Sequence, residues 1–532
     1  MFGITKLFAT STKARNKTLN QRKLNVEPLE ERRLMSVNSL FFSGSTLVVK
    51  TDNVASNVEV RQSGANTVIH DLGTNRQWSY ATSSVGRVQF QGGAGNDRFV
   101  NNFSTMPVQA YGNGGDDYLE GYSAADYFDG GAGNDTMRGY SGNDTFFGGA
   151  GNDVIFGMIG DDQLVGQDGN DTLDGGDGND RAWGGNGNDV LLGGNGDDQL
   201  VGDAGNDQLN GQLGNDSMWA GDGNDVIIAI DSAFGDYVEG NAGNDVFWVD
   251  RVGSSTDRIV GATSADKIQN IASFTNGADR TLNGDRITDP TALSGQTYKR
   301  FANNPLFSTS GPRFDDIRQG NLGDCWMLAG LSAVALDRAD AIRENVVDFN
   351  DGTYGVRLGN SFYRVDDDLP VANIYSTTPA NANFGLQNSM WVAIVEKAYA
   401  HYRTGANSYA SLDGGWAVEV NRAFNSASAG AKSIKSYANA TEMVNDMYNR
   451  WNTYQSVTVG VLTGSGAPLV NSHMYTVYSF NRNSAGQITS VVLRNPWGYD
   501  GRGSDSNTSD GLVTVTPAQL FGYTGQVNWG RV

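Results

Sequence analysis

Four residues far apart in the chain could together make a thiol reactive: Gln319, Cys325, His473 and Asn495. Cys325 is the only cysteine among 532 residues. It follows a polar, glycine-rich approach, Arg318-Gln319-Gly320-Asn321-Leu322-Gly323-Asp324. A dense run of small and apolar residues comes next (Trp326, Met327, Leu328, Ala329, Leu331, Ala333, Val334). This predicts a loop delivering the thiol to the first turn of a buried helix, where the helix N-terminus favours thiolate. Thiol nucleophiles need a base, and the chain has three histidines. His70 falls in a strand-rich region. His401 lies beside an amphipathic helical stripe (Trp391, Ile394, Val395, Ala398, Tyr399, Tyr402) and reads as a surface or boundary helix residue. His473 opens an alternating strand 148 residues after the cysteine. Asn495 ends a later strand and is held by Pro496 and Trp497. It is expected to accept from His473 Nδ1–H, turning Nε2 towards sulfur, with Trp497 shielding that bond from water. Gln319, six residues before the thiol, can aim its amide at an oxyanion alongside the Cys325 backbone N–H.

A second chemistry is written in aspartates. They recur every nine residues at Asp117, Asp126, Asp135, Asp144, Asp153, Asp162, Asp171, Asp180, Asp189, Asp198, Asp207, Asp216 and Asp225. Glycine precedes each by two positions except at Ala124, and by five except at Ala220. The residue two positions after each Asp is always apolar. Glycines permit tight turns and let carbonyl oxygens approach a cation. The carboxylate is a hard oxygen ligand, and the lone apolar side chain points inward from a short strand. Two nonapeptides make a coil of 18 residues, with calcium held between coils. Asp97 and Asp245 are outlying copies. Residues 92–250 hold 27 Asp and two Glu against three Arg, a balance of −26 in a chain whose net charge is −21. Such a block repels phosphates, so nucleic acid is not expected as a partner. Without cations the carboxylates repel along the stack, so folding is expected to depend on calcium.

These residues imply a domain order. Residues 1–36 form a basic N-terminal segment without the apolar core of a secretory signal. Residues 37–91 are rich in short β runs and are expected to cap the array. Residues 92–250 form the array, 251–300 a linker, and 301–532 the thiol-bearing domain. No run of about 18 apolar residues occurs, so no membrane span is expected. A single cysteine excludes an intramolecular disulfide.

Three resemblances sharpen this. Val26-Glu27-Pro28-Leu29-Glu30-Glu31-Arg32-Arg33-Leu34-Met35-Ser36 resembles a short N-terminal motif of large exported bacterial proteins. The nonapeptides resemble the calcium-binding repeats of RTX proteins, which implies a parallel β-roll and a calcium-rich, extracellular or cell-surface setting. Gln319 to Trp326, Glu396-Lys397-Ala398-Tyr399-Ala400, Gly414-Gly415, His473 and Arg494-Asn495-Pro496-Trp497-Gly498 resemble the calpain family of cysteine peptidases. That resemblance implies an α+β papain-like core of two lobes, Cys325 in one and His473 and Asn495 in the other, acting on a protein or peptide substrate. The Phe-Thr-Gly-Gly stretch usual after Gly414-Gly415 in that family is replaced by Arg422-Ala423-Phe424-Asn425-Ser426-Ala427-Ser428. No loop has EF-hand spacing. The expected function is a calcium-binding cysteine endopeptidase. The alternative is a calcium-dependent surface or matrix binding protein whose protease-like domain is not catalytic.

Overall fold

The computed structural model describes residues 37–231, 234–252, 255–275, 289–307, 312–319, 322, 324–373, 376–384, 388–403, 407–424, 429–453, 456–464, 468–496 and 511–530. The basic N-terminal segment and its export-like motif lie outside these residues, as do Trp497 and Gly498.

The acidic half is a parallel β-roll. Successive nonapeptides alternate between two facing sheets, so strands 18 residues apart pair in register. Tyr127–Ala132 pairs with Thr145–Ala150, and Thr136–Ser141 with Val154–Ile159. The residue two positions after each Asp, from Leu119 to Ile227, has no solvent exposure. These residues form one column between the sheets, in which Phe128 and Phe146 stack at 5.2 Å. One apolar side chain per nine residues is a thin core. The backbone ladders and the aspartates must therefore supply the rest of the cohesion.

The N-terminal strands join the roll as well as close its end. Thr46–Thr51 pairs in parallel with Arg87–Gln91, and Asn57–Ser63 with Arg98–Asn102. Antiparallel partners at Val37–Ser43, Asn66–Asp71 and Arg76–Ala81 finish the edges. Of the expected linker at 251–300, much is ordered strand. Arg258–Val260 and Lys267–Ile271 add further rungs to the two sheets, and Thr297–Arg300 pairs with Asp368–Val371. The array outlives its spacing because Asp257 and Asp266 accept from the backbone N–H of Asp236 and Asp245, 21 residues earlier rather than 18.

Two lobes follow. The first packs helices Cys325–Asp337 and Trp391–Tyr402 around one core with the Thr353–Leu358 and Ser361–Asp366 hairpin. The Cys325–Asp337 helix is apolar all round, and Trp326 to Ala335 are buried, as expected of a helix enclosed on every side. The second lobe is a six-stranded antiparallel sheet. Strands Ser456–Thr463, His473–Arg482 and Ile488–Arg494 lie within it, and helix Ala440–Trp451 covers it. A fourth cluster, with Ile228, Trp248, Ile271 and Phe274 from the roll and Val347, Phe349 and Phe362 from the first lobe, joins the two halves.

Candidate active site and calcium array

The strand that begins at His473 lies against the Cys325–Asp337 helix, and Thr476 Oγ1 donates to Ala329 O at 2.8 Å. Arg494 donates to Ile317 O at 3.0 Å, and the Gln319 backbone N–H donates to Pro496 O at 2.9 Å. These bonds tie the end of the Asn495 strand to the approach to the thiol. His473 and Asn495 are both buried, and His473 Nε2–H donates to Asn495 Oδ1 at 2.8 Å. The expectation that Nδ1 would face Asn495 is thus corrected. The ring enters from its own strand with Nε2 towards the Asn495 strand, so Nδ1 is the nitrogen left for a thiol proton. The Met474 backbone N–H acts on the Cys325 thiol, which sets the sulfur near the residue that follows this histidine.

The expected thiolate bias is also corrected. Burial pushes the Cys325 thiol up to about 11 and the neighbouring Asp324 adds to the rise. The N–H groups of Met474, Trp326 and Cys325 itself pull the other way without prevailing. Burial likewise lowers His473 to about 4, against the Asn495 bond, which favours the charged ring. Both effects favour the neutral pair over thiolate–imidazolium. Gln319 Nε2 donates to Leu322 O at 2.6 Å, which orients the amide within the approach loop. Gly320, Asn321 and Gly323 lie outside the described residues. Trp326 Nε1 donates to Leu412 O at 2.9 Å, and the Arg403 guanidinium covers the Trp326 ring. A side chain at Gly415 would strike that ring, which accounts for glycine there.

His401 is only 7 % exposed rather than on the surface, and burial lowers its pKa to about 4. It stacks on Tyr363 within the first lobe, apart from the His473–Asn495 pair.

In the roll, each aspartate splits its two oxygens between two tasks. Oδ1 accepts a backbone N–H one coil earlier, that of Val108 for Asp126 at 2.7 Å and that of an aspartate elsewhere, as in Asp117 N–H to Asp135 Oδ1 at 2.7 Å and Asp153 N–H to Asp171 Oδ1 at 2.8 Å. Oδ2 is buried without a hydrogen-bond partner at twelve of the thirteen positions. Asp126 is the exception, since it takes Tyr122 N–H at 3.4 Å. Except at Ala220, the residue five positions earlier is a glycine that faces that oxygen. A Cβ on Gly148 would collide with Asp153 Oδ2 and with the Gly166 carbonyl of the next coil. A small space walled by a carboxylate oxygen and carbonyl oxygens fits a hard cation. Among the described residues no cluster of three or more metal-binding side chains occurs, so backbone carbonyls must complete each site. Burial, with neighbouring aspartates, lifts these carboxyls to about 8 at Asp117 and Asp144 and about 9 at Asp216. That lift is the cost a cation would remove. Asp236 belongs to the same row, with a buried partnerless Oδ2 and Oδ1 taking Asp216 N–H at 2.8 Å. The nine-residue count missed it because two extra residues precede it; the Gly235-Asp236-Tyr237-Val238 pattern was the available signal.

The chain's similarities fit this division. Residues 287–518 match the calpain family cysteine protease model. Six segments between 109 and 251 match the RTX calcium-binding nonapeptide repeat. The chain is 28 % identical over 242 residues to calpain-9 of Rattus norvegicus, covering 42 % of this chain and 34 % of that protein. It is 30 % identical to calpain-9 of Homo sapiens, over 41 % of this chain and 33 % of that one. To the calpain-1 catalytic subunit of Bos taurus it is 28 % identical, over 38 % and 31 %. The chain thus spans about a third of the length of these relatives. It joins a calpain-family cysteine protease domain to an N-terminal parallel β-roll of RTX repeats whose cation is calcium.

Proposed function

We propose that the chain is a calcium-binding cysteine endopeptidase, with Cys325 as nucleophile, His473 as base, Asn495 as the group orienting the imidazole and Gln319 as an oxyanion donor. The observation that carries this is the buried His473 Nε2–H to Asn495 Oδ1 bond at 2.8 Å on the strand that lies against the Cys325 helix. With Nε2 carrying its proton, Nδ1 can accept one. The thiol passes its proton to Nδ1 as sulfur attacks the scissile carbonyl carbon. The oxyanion is held by the Cys325 N–H and the Gln319 amide. The tetrahedral adduct then collapses, the C–N bond breaks, and the imidazolium gives its proton to the leaving amine. Water, deprotonated by His473, hydrolyses the thioester. Asn495 keeps the ring in the required tautomer throughout.

The roll's Asp117–Asp225 row and Asp236 would hold calcium, which supplies the positive charge that the buried carboxyls lack. Extracellular or surface placement fits this array, because RTX repeats are typical of secreted or surface bacterial proteins. No helix among the described residues is long and apolar enough to cross a membrane. Cys325→Ala in the full, calcium-loaded chain tests the assignment. It should abolish cleavage of an unfolded protein substrate and labelling by a thiol-directed epoxide. Proteolysis that persists in this variant contradicts it.

One observation favours the second reading, a calcium-dependent surface or matrix binding protein with a non-catalytic protease-like domain: the thiol pushed up to about 11. Alkylation rates against pH separate the two. Fast reaction at neutral pH supports the peptidase, and rates that rise only at strongly alkaline pH support the binding protein.

A further inference from the structure

We propose that Asp324 and Glu396 share one proton and, as a hydrogen-bonded carboxyl pair, position Gln319 and Cys325; the role rests on the peptidase reading above. Asp324 is fully buried and Glu396 is 2 % exposed. Asp324 directly precedes Cys325 and stands at the N-cap of its helix, yet its side chain makes no capping bond. Both of its oxygens, and Glu396 Oε1, are buried with no donor, and the two carboxyls act directly on each other's ionisation. Two ionised carboxylates are both acceptors and cannot bond each other. Two like charges in contact in a dry site cannot both ionise. One proton must lie between them.

Among the described residues, the surroundings supply no countercharge. The donor to the pair is the Ala382 backbone N–H, at 2.9 Å from Glu396 Oε2, and it is neutral. Asp413, Cys325, Tyr298 and Tyr409 are the other titratable groups facing the pair, and all are neutral or anionic. Lys397, next along the Glu396 helix, ion-pairs with Asp289 and Asp366. Burial, then the partner's charge, raises Glu396 well above the ordinary carboxylate range, and burial raises Asp324 as well.

The pair sits where the site is assembled. Glu396 holds Ala382, and Ala382 pairs with Gln319 in a short antiparallel ladder. The Gln319 N–H in turn holds Pro496, the residue after Asn495. Removing the shared proton sets two negative charges against each other beneath the nucleophile and loosens that ladder. The pair therefore stabilises the assembled site at low and neutral pH and stops doing so as pH rises through its raised pKa.

The test uses the full calcium-loaded chain with a fluorogenic peptide, plus infrared spectroscopy for a protonated-carboxyl band. Wild type should show the band at neutral pH and lose it together with kcat on the alkaline side. Glu396→Ala leaves Asp324 buried without its partner and Ala382 without its acceptor, and should lower kcat about 10²-fold with little change in KM. Glu396→Gln, a donor that cannot ionise, should restore much of that loss, abolish the band and flatten the alkaline step. Melting curves confirm that both variants fold. A wild type without the band, or a Glu396→Gln profile that superimposes on wild type, overturns the proposal. A wild type that shows the band but cleaves nothing overturns the peptidase reading, and the positioning role with it, while the shared proton stands.

Discussion

Asn210 of the roll donates its side-chain amide to the carbonyl oxygen of Phe349 in the first peptidase lobe, at 2.9 Å and out of contact with solvent. It is one of several ties between the halves. Gln208 Nε2 reaches Asp348 O at 3.0 Å, the Thr275 N–H reaches Phe362 O at 2.7 Å, and Trp248 meets Phe362 edge to face at 5.7 Å. The strand carrying Gln208 and Asn210 follows directly on Asp207, so calcium bound along the roll, as proposed, would also order a wall of the protease domain.

Trp248→Ala should therefore leave calcium-dependent β content intact and destabilise the peptidase half by roughly 3–5 kcal/mol, as expected for losing a large buried aromatic. Asn210→Ala should cost about 1–3 kcal/mol by leaving the Phe349 carbonyl buried and unpaired. Calorimetry on the full chain, with and without calcium, should show a peptidase transition that calcium raises in wild type and raises less in Trp248→Ala. An equal calcium shift in both would show that the halves are not coupled.

Chelation should unfold the roll, with one pH signature. The aspartate carboxyls are raised in the folded stack, so their protonated form stabilises it at low pH. That contribution is lost as pH rises through about 7 to 9. In chelator, circular dichroism should show β content falling from acid to alkaline pH. Calcium should remove most of this dependence and release protons on binding. Full β content in chelator at alkaline pH contradicts the account.

Gly148→Ala pushes a methyl group against Asp153 Oδ2 and the Gly166 carbonyl. Titration calorimetry should show about one fewer calcium bound per chain, with the neighbouring rungs still folded. Unchanged stoichiometry would place the cation elsewhere.

His473 carries the sign opposite to that of the roll. Its folded pKa is lowered to about 4 by burial, below the ordinary histidine value of about 6.5. The neutral ring therefore contributes stability that is present above about 6.5 and is lost as pH falls towards 4. The acid limb of kcat/KM should lie below the usual histidine range, and Asn495→Ala should lower kcat by about 10²–10⁴-fold. An acid limb near 6.5 would show that the ring is solvated during turnover.

The repeat spacing made most of the roll legible, since each nonapeptide shows both the inward apolar residue and the aspartate two positions before it. Asp236 and Asp257 escaped because insertions stretched the coil to 20 and 21 residues without breaking the stack. Gln319, Cys325, His473 and Asn495 can be proposed as a set from sequence because thiol chemistry needs those residue types. Which imidazole nitrogen meets Asn495 was not, because that depends on how the His473 and Asn495 strands face each other. The raised thiol was hidden for a similar reason. A helix N-terminus is visible in sequence, but the burial that outweighs it arises only when the two lobes close around Cys325.

The central claim, a cysteine peptidase coupled to a calcium-ordered roll, is tested most directly by measuring cleavage of an unfolded protein against calcium concentration for wild type and Cys325→Ala. Wild type should be silent in chelator and gain activity as calcium restores β content, and Cys325→Ala should stay silent throughout. Equal cleavage by the two proteins, or wild-type activity indifferent to calcium while the roll unfolds, would contradict it.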